Sequence, residues 1–282
     1  MKEHYKLCEK DVFLQKTIYS FDVSVWEIFL WFFCGAKLCL LKSGDEGNFI
    51  ALINVINRHR VTICHFIPSI LRAFLRFLSR PGGMQKIKSL KKVVSSGEAL
   101  DYELVNKFNR ILTNENSTQL HNLYGPTEAT VDVTYFDCTH YHSENRIVPI
   151  GNPIWNTRIY ILDDNGNECV DGECGEIYIS GEGVAAGYIN NSELTGKSFV
   201  PDLFCKDVKM YKTGDLGRWR NGAIEFLGRI DNQVKIHGIR IELEEIENHL
   251  LGYEAIKQIV VIAVGEVNTK LVAYYRFLRS MR

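Results

Sequence analysis

The sequence lacks an excess of charge of either sign: 33 Lys and Arg against 34 Asp and Glu leave a formal net charge of -1. This excludes the basic footprint of a nucleic-acid binder and the polybasic patch of a membrane-surface protein, so neither nucleic acid nor membrane is expected as a partner. The opening residues MKEHYKLCEKDVF lack an apolar signal core, so a secreted protein is not expected. No uninterrupted hydrophobic run is long enough to cross a membrane. The most apolar stretch, residues 25–41, is broken by Glu27, Gly35 and Lys37, which fits a buried helix followed by a strand better than a membrane span. The eight cysteines form no CxxC, and the closest spacings, Cys34 to Cys39 and Cys169 to Cys174, argue against a zinc knuckle or a redox dithiol. Reduced thiols in a cytoplasmic protein are expected.

Two phosphate-binding motifs are incomplete. Gly181, Gly183 and Gly187 do not make GxGxxG because Ala186 holds the last position, and Gly196-Lys197-Ser198 has Asn191 where a phosphate loop needs its first glycine.

What is present is a globular composition, with 46% hydrophobic and 24% charged residues over 282 positions, enough for roughly two domains. Residues 14–20 read as the end of a strand, and Ser24 with Glu27 forms a capping box for a helix over residues 25–33. Asp22 then sits just ahead of that helix, as a capping carboxylate or as a partner for a ligand ammonium. Strand AKLCLL, a helix over 49–57, strand VTICHFI, a helix over 68–78 led by a proline, strand LKKVVSS and a helix over 101–110 follow. This alternation predicts an α/β fold with a mostly parallel sheet flanked by helices. His65, near the end of VTICHFI, is either a satisfied core histidine or a site residue. Gly97, at the exit of LKKVVSS, permits close approach to the backbone.

Residues 118–136, TQLHNLYGPTEATVDVTYF, contain the stretch around which the chain is organised. A β-prone run enters the turn Tyr124-Gly125-Pro126 and then presents Thr127 and Glu128, gathering a phenol, a hydroxyl and a carboxylate where open α/β sheets bind ligands. After about residue 140, short strands separated by Gly, Asn and Asp turns, with hardly any helix, predict a small β-barrel-like subdomain. Asp215 in YKTGDL either closes a turn or accepts hydrogen bonds from a ribose diol. From Gly228 a small α+β unit follows, joined at Arg229-Ile230-Asp231. The expected division is 1–140, 141–230 and 231–282.

FDVSVWEIF, NLYGPTE, GEIYISGEGVAAGY, YKTGDL and GRIDNQVKIHGIRIELEEIE, in this order and spacing, resemble the adenylation domains of nonribosomal peptide synthetases, within the superfamily of acyl-CoA synthetases and luciferases. The resemblance covers nearly the whole chain. It implies use of ATP and Mg2+ to turn an amino acid into an aminoacyl-adenylate with release of pyrophosphate. The acyl group then passes to the phosphopantetheine thiol of a carrier protein, and neighbouring synthetase domains are further partners.

It also implies residue roles. Asp22 would bind the α-ammonium, Tyr124 would stack on adenine, and Gly97, Glu98 and Ala99 would line the adenine pocket with Asn122 and Gly125. Thr127 would touch phosphate, Glu128 would hold the metal, Asp215 would take the ribose hydroxyls and Arg229 would contact the nucleotide. Thr127 and Glu128 are thus the implied catalytic pair, and Asp231 the implied hinge of a lid. The pocket positions fall on Asp22, Val23, Trp26, His65, Val94, Ser96, Leu123, Val131 and Asp132. This set resembles the serine-activating type, represented by the enterobactin serine module, so L-serine is the implied substrate.

Departures occur at Ala186 and His237, where the family usually has arginine, and at Glu244, where it usually has glycine. The family's phosphate loop before Phe21 and its lysine after KLVAYY are not in these residues, so the expectation is a domain truncated at both ends. A ligand-binding remnant without activity, and a ligase for another acyl substrate, are the alternatives; Asp22 argues against the latter, because fatty and aryl acids bring no ammonium.

Overall fold

The computed structural model describes residues 1–79, 83–236, 238–265 and 269–278. The chain divides into two compact units, Met1–Gly228 and Arg229–Arg282.

In the first unit, β1 (Val12–Gln15) is followed by α1 (Ser24–Cys34), β2 (Lys37–Leu40), α2 (Phe49–His59), β3 (Ile63–Phe66), α3 (Pro68–Leu78), β4 (Lys92–Ser95), α4 (Tyr102–Phe108), a short α5 (Asn114–Asn116) and β5 (Gln119–Tyr124). β6 (Thr134–Asp137) and β7 (Asn152–Pro153) complete a seven-stranded sheet of order β2-β1-β3-β4-β5-β6-β7. Its first five strands are parallel and the last two pairings antiparallel. The fold is therefore α/β with a mixed sheet flanked by helices. The helix ends follow local chemistry. Asn48 and Asp101 accept from Ala51 N and Leu104 N as caps of α2 and α4, Pro68 opens α3, and Gly35 ends α1 in the left-handed region at φ 65°.

The two-residue period of the strands sorts side chains to opposite faces. Leu14, Cys64, Phe66, Val93 and Leu120 pack with α2, α3 and α4 in the largest core cluster. Phe13, Ile63, Val94 and Leu123 point the other way and pack with Val23, Trp26 and Cys34 in a second. By the same alternation His65 shares the α1 face, and cross-strand register sets it beside Val94, which in turn sits beside His121.

The second sheet consists of β8 (Thr157–Leu162), β9 (Gly175–Gly181), β10 (Phe199–Pro201), β11 (Lys209–Arg220) and β12 (Ala223–Arg229), paired in the order β10-β11-β9-β8 with β12 on β11. One helix interrupts this stretch, α6 (Ser192–Ser198), where hardly any was expected. Gly196-Lys197-Ser198 closes that helix at its carboxyl end, opposite to the amino-terminal geometry that binds phosphate.

The second unit comprises the hairpin β13 (Val234–Ile236) and β14 (Ile239–Ile241), then α7 (Leu243–Leu251), then the hairpin β15 (Ile256–Val264) and β16 (Lys270–Phe277). Glu247 of α7 accepts from Val261 N at 2.7 Å, which ties helix to hairpin. Among its described residues only Gln233, Leu243 and Val261 are buried, a marginal core for so short a segment. His237 lies outside the described residues. Among the described residues, no helix is long and apolar enough to cross a membrane, and all eight cysteines are free.

One buried histidine of the core makes a measurable claim on stability. The His121 ring lies tilted against Tyr5 at 4.7 Å, and burial holds its pKa down to about 4 although Asp137, 3.9 Å away, pulls the other way. The unfolded chain takes up that proton near the ordinary 6.5 while the folded chain waits, so stability is full above 6.5 and is lost as pH falls towards 4. Urea denaturation at pH 7 and pH 5 should show a loss of order 1–2 kcal/mol from this residue. His121→Asn should flatten the drop, and an unchanged slope in that variant would contradict the assignment.

Candidate functional site

Parallel strands bring the segments after β1, β3, β4 and β5 to one edge of the sheet. The strand order reverses between β1 and β3, which opens a crevice at their carboxyl ends. The implied site residues collect there. Thr127 donates its hydroxyl to Asp22 at 2.6 Å, which joins the loop after β5 to the turn before α1 across 105 residues of sequence. Gly97 adopts φ 87°, and a Cβ there would come 3.0 Å from the Phe21 ring and 3.4 Å from Ile67. Three loops thus meet closely here, at a left-handed backbone conformation that favours glycine.

Behind this edge lies a cluster of implied pocket residues. Val23, Trp26, Val94 and Leu123 are buried together, with Val131 packed against them. His65 is 1% exposed, edge-on to Trp26 at 6.0 Å, with Nε2 3.1 Å from Ser96 Oγ and Nδ1 3.5 Å from Thr17 Oγ1. Burial pushes its pKa well below the ordinary value, so the ring is neutral. The Trp26 indole N–H is buried and has no acceptor among the described residues. A donor left so costs about 1–3 kcal/mol, which a ligand acceptor would return. Asp132 is buried and faces Tyr5, whose hydroxyl is held protonated first by burial and then by that carboxylate.

The expected capping box is not formed. The residue before α1 is Val23, with no side-chain cap, and Ser24 Oγ donates to Tyr19 O instead. Glu27 turns inward and is fully buried: its Oε2 accepts from Lys16 N at 3.1 Å and Thr17 N at 2.9 Å, and its Oε1 accepts from Thr17 Oγ1 at 2.9 Å. Tertiary donors outcompete the local cap because an acid carried into the core on an apolar helix must find several partners. Burial raises the Glu27 pKa, while Lys16 and the Thr17 hydrogen bonds pull it back. Glu27 and Thr17 are site-shaping residues that pattern reading missed; an acid inside VWEIFLWFF was the available signal.

The turn after β5 is tightly drawn. A Cβ on Gly125 would lie 2.3 Å from Val131 O and 2.7 Å from Asp132 Cα, so the glycine lets segment 131–132 cross directly over it. Thr130 and Val131 both have positive φ, 62° and 74°. β-Branched residues rarely adopt this conformation, and such strain concentrates at ligand sites.

The opposite wall faces the second sheet. Tyr124 donates its hydroxyl to Asp215 Oδ2 at 2.5 Å, and its ring lies 6.3 Å from Phe226. Glu128 accepts from Tyr188 OH at 2.7 Å, while its carbonyl accepts from Ala185 N at 2.8 Å. Thr130 donates to Gly183 O at 2.6 Å, so the GEGVAAGY segment folds onto the TEAT turn. Tyr188, not foreseen as a site residue, has its pKa raised by burial and by hydrogen bonding to Glu128.

Two implied nucleotide residues are turned to structural partners. Glu98 accepts from Ser69 N at 2.9 Å and Ser69 Oγ at 3.1 Å at the start of α3, and Asn122 donates to Pro149 O at 2.8 Å. Ala99 follows Glu98 in the same loop. Arg229 and Asp231 belong to the second unit, where Nε and Nη2 of the arginine donate to both carboxylate oxygens at 2.6 Å, and this holds the Asp231 pKa down. Among the described residues no three His, Cys, Asp or Glu groups gather to hold a metal ion. A cation at Glu128 would therefore be completed by ligand oxygens, as Mg2+ commonly is at phosphate sites.

Residues 1–189 match the model of a family described as AMP-binding enzyme. The chain is 49% identical over 278 residues to zwittermicin A synthase ZmaJ of Bacillus cereus, covering 98% of this chain and 53% of that protein. It is 40% identical over 264 residues to enterobactin synthase component F of Escherichia coli K12, covering 92% of this chain and 20% of that protein. The chain thus spans about half or less of these curated relatives. Among solved structures, the adenylation domain AlmE of Vibrio cholerae, in complex with glycyl-adenosine-5'-phosphate, is 27% identical with a TM-score of 0.84, covering 97% of this chain and 51% of that one. PA1221, described as a protein of nonribosomal peptide synthesis with adenylation and PCP domains, is 25% identical with a TM-score of 0.80, covering 96% of this chain and 54% of that one.

The crossing at Gly125 generates a stability test. Gly125→Ala must displace backbone and should lower unfolding free energy by about 1–3 kcal/mol in urea denaturation. Gly196→Ala, in α6 with nothing within 4 Å of its Cβ, should be neutral or stabilising by up to about 1 kcal/mol. Equal effects at both positions would show that the crossing is not tight.

Proposed function

Since the chain belongs to the AMP-binding enzyme family, we propose that it forms the amino-acid-binding and nucleotide-binding core of an adenylation domain of nonribosomal peptide synthesis. The substrate proposed is L-serine. The carboxylate oxygen of serine attacks the α-phosphorus of ATP, the bond to the bridging oxygen breaks, and pyrophosphate leaves. The seryl group then passes to the phosphopantetheine thiol of a carrier partner with release of AMP. The observation that carries this reading is the 2.6 Å hydrogen bond from Thr127 to Asp22, which puts the proposed phosphate contact and the proposed ammonium partner side by side. An aminoacyl-adenylate requires that adjacency, because its acyl and phosphoryl groups share one bridging oxygen. The AlmE structure, solved with an aminoacyl-adenylate, supports the same reaction class, and the carrier domain of PA1221 supports the partner.

Each residue works by position and charge. Asp22 pairs with the α-ammonium. Val23, Trp26, Val94, Leu123 and Val131 limit the side-chain pocket to a small substituent, while His65, Ser96 and Asp132 supply hydrogen-bonding groups for a hydroxyl. Tyr124, with its hydroxyl fixed on Asp215, offers a ring face to adenine beside the Gly97-Glu98-Ala99 loop, with Asn122 and Gly125 shaping the turn, and Asp215 is the ribose partner. Glu128 would hold Mg2+, whose charge offsets that of the phosphates. Arg229 is proposed as a further nucleotide contact and Asp231 as the hinge of a lid over 231–282, following subdomains 1–140 and 141–230. The free cysteines suit a cytoplasmic enzyme.

Amino-acid-dependent ATP–pyrophosphate exchange tests this, measured on the chain alone and joined to the flanking segments of a relative. Serine should outpace alanine by about a hundredfold or more, because buried polar groups are left unpaired by a substrate without the hydroxyl. Asp22→Ala should abolish exchange. Exchange driven better by alanine or by an aryl acid would overturn the serine assignment, and no stabilisation by a seryl-adenylate analogue in thermal shift would overturn ligand binding altogether.

A further inference from the structure

Behind the proposed pocket runs a buried chain of hydrogen bonds, Glu27 to Thr17 to His65 to Ser96, in which the position of every proton is constrained. Thr17 has one hydroxyl proton, and it points to Glu27 Oε1 at 2.9 Å. The other carboxylate oxygen accepts two backbone N–H groups, from Lys16 and Thr17. As a carboxylate, Glu27 carries no proton of its own and accepts from all three donors. Thr17 Oγ1 therefore turns lone pairs towards His65 Nδ1, 3.5 Å away. A bare Nδ1 there would set lone pair against lone pair, so Nδ1 carries the imidazole proton. The neutral ring then has no proton on Nε2. Nε2 is 3.1 Å from Ser96 Oγ and must accept the Ser96 hydroxyl proton.

We propose that Glu27 and Thr17 are positioning residues that fix the Nδ1–H tautomer of His65, and that Ser96 consequently presents only oxygen lone pairs to the substrate. The proposal rests on the amino-acid pocket reading. Within it, the polar end of the pocket selects for a substrate side chain that donates a hydrogen bond, not merely one that accepts. Serine satisfies this. 3-Fluoroalanine, nearly the same size, brings no proton and is excluded. Asp132, an acceptor-only carboxylate when ionised, reinforces the same polarity.

Long-range 1H–15N correlation on 15N-histidine-labelled full chain tests the relay directly, with the His65 signals identified by their loss in His65→Gln. The expected wild-type pattern is Nδ1 protonated and Nε2 bare. Thr17→Val removes the lone pairs and should shift His65 to the Nε2–H form or a mixture, while Thr17→Ser should restore Nδ1–H. A wild-type ring protonated on Nε2 overturns the proposal without recourse to any variant, as does a pattern that Thr17→Val leaves unchanged. In thermal-shift titration, the seryl-adenylate analogue should bind wild type at least about tenfold more tightly than the 3-fluoroalanyl one, and Thr17→Val should narrow that ratio. An Nδ1–H ring together with equal binding of the two analogues would overturn the substrate reading while upholding the relay.

Discussion

A buried carboxylate fixes the geometry of the whole site edge. Glu27 is carried on α1 among Trp26, Ile28, Phe29 and Leu30, and it is wholly withdrawn from water. An ionised carboxylate in that position costs several kcal/mol unless donors surround it. Here the donors are the backbone of Lys16 and both groups of Thr17, which leave β1 on the other side of a tight connection. α1 cannot slide or rotate without breaking all three. Its first turn carries Trp26, and Asp22 and Val23 lie just ahead, so one anchor sets the proposed ammonium partner and one wall of the proposed pocket. Stability enters through the same group as site geometry.

The sheet order then decides what faces that anchor. β1 turns outward to β2 while β3 lies on its other side, so their carboxyl ends diverge and leave the crevice that open α/β sheets offer to ligands. Thr17 follows β1 and His65 sits near the end of β3 at that point, and their contact spans it. The other wall is joined by Tyr124, whose hydroxyl reaches Asp215 on β11 and so holds the end of β5 against the second sheet. A reaction that develops charge on phosphate and carboxyl oxygens is served by such fixed groups, because they need no reorganisation when the charge appears.

Much of this was legible in the chain. The helix led by Pro68 and the strand GEIYISG occur as read, because a proline start and clean alternation leave little freedom. NLYGPTE marks the end of β5 and its turn, since Tyr124-Gly125-Pro126 stops a strand by backbone geometry alone. The Ser24 and Glu27 pair was misread because a local pattern scores the same whether the acid meets its own helix or a distant strand exit, and burial decides between them. Contacts such as Thr127 to Asp22 follow from topology, which gathers the strand exits at one edge, and not from spacing. The positive φ of Thr130 and Val131 runs against their residue type; no propensity foresees it, and it is explained by the crossing that Gly125 permits.

The polar chain behind the proposed pocket also poses an energetic question. A core of the size and shape held by Val23, Val94 and Leu123, continued with aliphatic groups in place of Glu27, Thr17 and His65, would avoid the desolvation of a charge and an imidazole, and replacements of this kind are often neutral or stabilising. Packing alone, however, measures only size, and one methylene in a hydrophobic pocket separates substrates by about 1–3 kcal/mol. A hydrogen-bond chain in a low-dielectric interior adds direction, because each donor is committed and the last oxygen has a fixed polarity. Direction is what separates a hydroxyl from a group of equal size that cannot donate. On that ground the chain from Glu27 to Ser96 fits the proposed role in substrate selection, and the aliphatic clusters on both faces of the sheet supply the packing that holds the fold around it.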